Sequence, residues 1–141
     1  MKLSYLLSCL CWSLLTLTVC GQEPSATVDR SELLLVVGAA GQEDYGRDFG
    51  VWADRWQQAA EQGGAAVTVI GRSAAAGGEA SVTDRDAILA AITRNAGTAS
   101  AEPLWIVFLG HGTFDQRESR WNLRGPDLSA SELAAACQDR K

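Results

Sequence analysis

Short apolar runs that end in glycine limit the folds open to this chain more than any other feature of its sequence. The runs are "LLLVVGAAG" (33–41), "AAVTVIG" (65–71) and "LWIVFLG" (104–110), and none of them carries a charge. A strand of this kind has both faces buried, as in a parallel sheet that helices cover on both sides. The three runs therefore predict three strands of one parallel sheet.

The segments between these runs have the three-to-four-residue period of helices. In 43–64 the apolar side chains form one stripe, which predicts that Trp52 and Trp56 pack on the sheet rather than form a carbohydrate-binding surface. The members of that stripe are Tyr45, Phe49, Trp52, Trp56 and Ala60. Gly63 and Gly64 predict the end of this helix.

Local signals mark the remaining elements. Thr83 and Asp86 resemble a capping box that opens a helix over 83–97, with Gly97 after its end, and the small residues of 73–81 predict a loop. Segment 113–123 predicts a hairpin with "QRES" at its turn, and 127–137 predicts a helix with Ser129 as N-cap and Glu132 three residues later. The alternation of strands and helices predicts an α/β fold, a three-layer βαβαβ parallel sheet with right-handed crossovers.

The first residues predict export. Residues 1–21 have the layout of a signal peptide, with Lys2 followed by an apolar stretch without acids, and small residues precede a cut before Gln22. A bacterial lipoprotein signal with Cys20 as the lipidated residue is a rival interpretation. We expect a secreted or periplasmic protein with a linker over 22–32 and one α/β domain over 33–141.

Charge excludes several classes of partner, and the cysteine content excludes an internal disulfide. Lys2 is the only charge in the leader, so its removal changes the formal net charge from −5 to −6, which repels nucleic acids and anionic membranes. We therefore expect no nucleic-acid partner, and a membrane partner only if Cys20 is lipidated. Three of the four cysteines lie in the leader, so Cys137 alone remains and forms no internal disulfide.

Cofactor and metal signals are weak. "GAAGQEDYG" follows the first strand but lacks both the dinucleotide fingerprint and the GK[ST] ending of a P-loop, and one histidine without a cysteine pair offers no metal cluster. We expect neither a cofactor nor a metal, although a nucleotide-binding α/β domain stays open as an alternative.

His111 is the single histidine of the chain, and it lies between Gly110 and Gly112 just after the third strand. Ligands of parallel sheets bind at the carboxyl ends of the strands, and a strand order of 2-1-3 places His111 and the loop 38–41 in one crevice. An imidazole there suits acid–base chemistry, and the Gly112 N–H is free to donate a hydrogen bond. A surface histidine in a tight turn is the competing interpretation, and Asp115 is either its orienting partner or a solvated hairpin carboxylate.

An apolar block that runs into His-Gly on the third strand of a βαβαβ unit resembles the caspase-like cysteine peptidases, in particular a bacterial branch of legumain-type enzymes. The similarity covers nearly all of residues 33–136. It implies peptide-bond hydrolysis without a cofactor, with His111 as the base that activates a cysteine thiol and Gly112 as an oxyanion donor. A peptide or protein is then the substrate, provided that the domain is complete.

The same resemblance implies a nucleophilic cysteine after a fourth strand, and the sequence has no such segment before Lys141. Cys137 is a poor candidate, because the C-terminal end of a helix disfavours a thiolate; we expect a half-buried small residue there. The expected fold is thus a partial caspase-like domain that stops after its third helix, inactive as a peptidase and with "LWIVFL" as an exposed sheet edge. The alternative function is a non-catalytic exported binding module that uses the same cleft.

Overall fold

The computed structural model describes residues 30–72, 82–94 and 103–138. Its elements are, in chain order, β1 (Glu32–Val37), α1 (Glu43–Gln62), β2 (Ala66–Ile70), α2 (Asp84–Thr93), β3 (Leu104–Leu109), β4 (Gly112–Phe114), β5 (Ser119–Trp121), β6 (Leu128–Ser129) and α3 (Ala130–Gln138). The predicted leader with Cys20, the loop over 73–81 and the glycine cap at 97 lie outside the described residues.

The three apolar runs form one parallel sheet, which confirms the predicted sheet, and its order is β2-β1-β3, the order that makes the first and third strands neighbours. β1 lies in the centre, where Leu34 is in register with Thr68 on one side and Ile106 on the other. The strand begins at Glu32, one residue inside the predicted linker, because the Glu32 N–H donates to the Pro103 carbonyl at 3.0 Å.

Alternate residues of β1 face two separate layers of helices. Leu33, Leu35 and Val37 pack with Phe49 and Ala53 of α1. Leu34 and Val36 pack on the other face with α2, α3 and the segment between β5 and α3, whose buried members are Ile88, Ala91, Ile92, Leu123, Leu128 and Ala136. The protein is therefore a mixed α/β fold whose sheet is buried on both faces.

The prediction that Trp52 and Trp56 belong to the core is wrong. These side chains are 44% and 45% exposed, and the residues of α1 that the sheet buries are Phe49 and Ala53. At 100° per residue, both tryptophans lie on the side of Phe49 that is turned away from Ala53. Because α1 packs mainly on β1 and β2, this side of the helix is not pressed against those two strands.

The capping and hairpin predictions are confirmed. Thr83 Oγ1 accepts from the Asp86 N–H at 3.2 Å, and Ser129 and Glu132 exchange two backbone-to-side-chain hydrogen bonds of 3.2 and 2.9 Å. β4 and β5 pair antiparallel across a turn at 115–118, so Ser119 belongs to β5 rather than to the turn. The sequence did not predict β6, which pairs with β5 just before α3.

Candidate functional site

His111 lies at the carboxyl end of β3, where the chain passes directly into the hairpin. Its backbone carbonyl accepts from the Asn122 N–H at 2.9 Å, which ties the residue to the far strand of the hairpin. A Cβ atom on the preceding Gly110 would lie 3.2 Å from both the Gly38 Cα and the Trp121 ring. Glycine at 110 therefore lets β3, the loop after β1 and the hairpin approach each other closely.

The His111 ring packs against the first two turns of α1. Its centroid lies 4.8 Å from that of Tyr45 in an edge-to-face arrangement of 82°, and 5.3 Å from that of Phe49 at 59°. The residue is half-buried. Two aromatic neighbours thus hold the imidazole in place against α1.

Asp115 does not orient the imidazole. Its carboxylate accepts from the backbone N–H groups of Arg117 and Glu118 at 3.1 and 2.9 Å and from the Arg120 guanidinium at 2.6 Å. The Arg120 hydrogen bond, followed by the two backbone donors, lowers the pKa of Asp115 to about 2. Asp115 is thus a hairpin carboxylate that stabilises the turn.

The Gly112 N–H points away from the hairpin. Since the Asn122 N–H donates to His111, residues 111 and 122 form a hydrogen-bonded pair, and the next pair, Gly112 with Trp121, is of the non-hydrogen-bonded kind. The amide of Gly112 is therefore directed outward from β5, on the strand that begins beside the imidazole. A Cβ at this position would lie 3.0 Å from the Arg120 carbonyl, so a side chain fits poorly here.

The loop after β1 meets the loop after β3, as the strand order predicts. The Gly38 N–H donates to Leu109 and the Ala39 N–H to Asn122, both at 2.9 Å. A Cβ on Gly38 would lie 2.6 Å from the Asn122 carbonyl and 3.1 Å from the Trp121 indole nitrogen. The loops at the carboxyl ends of β1 and β3 are thus joined by direct contact between backbones, and the predicted crevice shared by His111 and the loop 38–41 does not appear among the cavities of the described residues.

Two cavities flank this region, and the His111 ring lines neither of them. A groove of about 400 Å³ lies on the face opposite α1, between Phe108, the hairpin and α3, and Gly112 is part of its wall. A smaller cavity of about 170 Å³ lies at the ends of β1 and β2, where Phe49, Arg72 and Arg124 line it. Arg72 also pairs with Asp54 of α1.

Cys137 lies far from this chemistry in the fold. It is the penultimate residue of α3, as predicted, but it is exposed rather than half-buried. α3 packs on α2, on the face of the sheet opposite to α1 and the His111 ring. The fold therefore does not bring the cysteine and the histidine together.

Among the described residues no group of three His, Cys, Asp or Glu side chains is placed to hold a metal ion. No helix in those segments has both the length and the apolar character to cross a bilayer. Comparison of the chain with protein-family models, curated proteins and solved structures finds no significant match.

Sequence reasoning missed the two aromatic neighbours of His111 and the bond from Asn122 to it. Tyr45 and Phe49 appeared only as members of the stripe facing the sheet. Their i, i+4 spacing was the available signal, because it places both rings on one side of the first turns of α1.

Proposed function

We propose that this chain is an exported protein that carries the histidine half of a caspase- or legumain-like cysteine peptidase site. In this site His111 is the general base and acid, and the Gly112 N–H is an oxyanion donor. The substrate is a peptide or protein, and neither a cofactor nor a metal takes part. The predicted leader over 1–21, with lipidation at Cys20 as the variant form, is the basis for export.

The observation that supports this proposal best is the placement of one imidazole beside one outward amide. His111 is held by Tyr45 and Phe49 at the carboxyl end of β3, and the next residue presents its N–H away from the hairpin. A base and an oxyanion donor on adjacent residues are the two protein groups that acyl transfer needs besides a nucleophile.

In the proposed reaction, an imidazole nitrogen of His111 takes the proton of a cysteine thiol as the sulfur attacks the peptide carbonyl. The carbonyl oxygen becomes negatively charged and accepts a hydrogen bond from the Gly112 N–H. The imidazolium then gives its proton to the leaving amine, and water hydrolyses the resulting thioester. Cys137 does not serve as this thiol, because α3 holds it on the other face of the sheet, so we expect no turnover from the chain by itself.

A non-catalytic binding module is the second candidate, and the groove of about 400 Å³ favours it. Phe108, Trp121 and Leu133 give the groove apolar walls, whereas Ser119 and Arg120 add polar groups at one side. Apolar walls with a few polar groups are typical of a site that binds a peptide or small ligand. Such a module needs no base, so its binding does not depend on the imidazole.

The two candidates differ in what they do with a thiol supplied from solution. We suggest incubating the protein with capped peptide thioesters and a small thiol, and measuring thiol exchange at the acyl carbon. The proposal predicts that the protein accelerates exchange at least about tenfold, a modest part of the effect of positioned general bases. His111→Gln, which retains a hydrogen-bonding side chain without the base, is expected to abolish this acceleration.

Cys137→Ala is the matched control, since it removes the only thiol of the described residues and should leave the rate unchanged. An equal rate with His111→Gln would contradict the peptidase proposal. Binding of the peptides without any acceleration would favour the binding module instead.

A further inference from the structure

β3 is an outermost strand in the described part of the sheet, where its only partner is β1. Its six residues, "LWIVFL", are all apolar, and no lysine, proline or charged residue interrupts them. Soluble proteins normally protect such an edge with charges, proline or bulges, because unpaired N–H and C=O groups pair readily with another strand. The edge of β3 therefore has the features of a pairing surface.

Aromatic side chains adjoin this edge on one face of the sheet. Val107 and Leu109 pack with the α1 layer, so the alternation of a strand places Trp105 on the same face, and its side chain is 63% exposed. On α1, Tyr45, Trp52 and Trp56 lie within about 40° of one another, and we call this set the aromatic flank. Each member is 44–45% exposed.

The aromatic flank faces the β3 side of the molecule. Tyr45 contacts His111, which directly follows β3, and Trp52 and Trp56 continue from Tyr45 along the same side of the helix. α1 runs antiparallel to the strands, so Trp56 is carried toward the end of β3 at which Trp105 lies. Trp105 and the aromatic flank thus border one strip of the sheet that none of the described residues covers.

We propose that a second copy of this chain docks on this strip, with the two β3 strands paired antiparallel about a twofold axis. The axis of such a pair is perpendicular to the sheet, so both α1 helices lie on the same face of one six-stranded sheet. Residues that pair across strands point to the same face, so the axis passes between the two copies of Ile106 or between the two copies of Val107. Trp105 then lies opposite Val107 or Leu109 of the second copy, so that apolar side chains meet apolar side chains.

The second copy is favoured because one symmetry operation covers both unpartnered features. Each copy brings an open edge and an aromatic flank, and a twofold interface requires a patch that complements itself. Aromatic side chains bury roughly 150–250 Å² each, so four half-exposed rings per copy contribute on the order of 800 Å² over two copies. With the paired backbones the interface passes the roughly 1,000 Å² expected of a specific dimer.

Charge does not oppose this pairing at the edge itself. The formal net charge of the chain is −5, but β3 contributes none of it. Two β3 strands therefore meet without like charges facing each other, while the acidic surface elsewhere limits growth into larger aggregates. The closed twofold pairing also leaves no β3 edge exposed for a third copy.

Sedimentation velocity of the full chain between about 1 and 100 µM tests this inference. We expect a monomer–dimer equilibrium without larger species. Trp105→Lys places a charge in the centre of the interface in both copies and should weaken dimerisation at least about a hundredfold. Trp56→Lys, on the aromatic flank, should weaken it to a smaller extent.

Val82→Lys is the matched control, because Val82 is 58% exposed and lies next to α2, away from the proposed interface. This variant should dimerise like the unchanged protein, and circular dichroism should show all three variants to be folded. A monomer at 100 µM, open-ended oligomers, or a dimer that survives Trp105→Lys would overturn the proposal. A monomer that instead binds an extended apolar peptide along β3 would assign the edge to a different partner.

Discussion

Replacing Gly38 by alanine tests whether the loop after β1 and the hairpin are held in contact by their backbones. The new Cβ would lie 2.6 Å from the Asn122 carbonyl oxygen and 3.1 Å from the Trp121 indole nitrogen. Ordinary carbon–oxygen contacts begin near 3.4 Å, so the hairpin must move by close to an ångström or the loop must deform. Overpacking of this kind costs about 1–3 kcal/mol of the free energy of unfolding.

Gly50→Ala is the matched control, since it makes the same chemical change at an interior position of α1. A Cβ on Gly50 meets nothing within 4 Å. Alanine there reduces the entropy of the unfolded chain and improves helix propensity, so we expect a gain of about 0.5–1 kcal/mol. The two substitutions thus have opposite predicted signs.

Thermal unfolding followed by circular dichroism measures both effects. For a domain of this size, 1 kcal/mol changes Tm by about 4–8 °C, so Gly38→Ala should lower Tm by roughly 5–20 °C and Gly50→Ala should raise it by a few degrees. NMR signals of the His111 ring and the Gly112 amide should shift in Gly38→Ala alone, because Asn122 is hydrogen-bonded both to Ala39 of the loop after β1 and to His111. Equal Tm values for the two variants would refute the packing argument.

Three further predictions concern the helix cap, the hairpin and α1. Ser129→Ala removes the hydroxyl that bonds the Glu132 N–H and should cost about 0.5–2 kcal/mol of unfolding free energy in urea titrations. The Arg120 hydrogen bond lowers the pKa of Asp115 to about 2. The stability that this carboxylate contributes is therefore full above the unfolded pKa near 4 and is lost as the pH falls toward 2. In acid titrations, Asp115→Asn should lack this loss of stability between about pH 4 and pH 2. Phe49→Ala should cost about 3–5 kcal/mol of unfolding free energy and loosen the His111 ring in NMR spectra, because Phe49 is buried. Trp56→Ala should cost less than about 1.5 kcal/mol, because its side chain is half-exposed. Equal costs for the two variants would show that Trp56 is buried like Phe49, as the sequence predicted.

The polar contacts that join α3 to the hairpin and to α2 could not be foreseen. Glu118 accepts from Ser131 and from Arg120, and the Ser131 hydrogen bond is the main reason why the pKa of Glu118 is lowered. Arg85 of α2 reaches Glu132 at 3.3 Å. The Glu118–Ser131 and Arg85–Glu132 pairs join residues that are 13 and 47 positions apart, so no local pattern could reveal them.

The candidate site could be predicted in part. A lone His-Gly after an apolar run correctly pointed to the carboxyl end of a strand of the parallel sheet, because apolar runs and glycine stops are local features. The alternative role for Asp115 was left open by the sequence, and only the turn geometry, in which its carboxylate bonds two backbone N–H groups, decided it.

The sequence by itself determined the three parallel strands, the three helices and the hairpin, because strand burial, helix caps and turn signals act between residues that lie at most a few positions apart; it did not determine β6 or every element boundary. Tertiary structure decided which side of α1 the sheet buries, how the loops after β1 and β3 meet through Asn122, and which rings enclose His111. Those outcomes depend on where α1 lies over the three strands. Helical periodicity places Trp52 and Trp56 on one side of the helix, but it contains no information on how far the sheet extends beneath them.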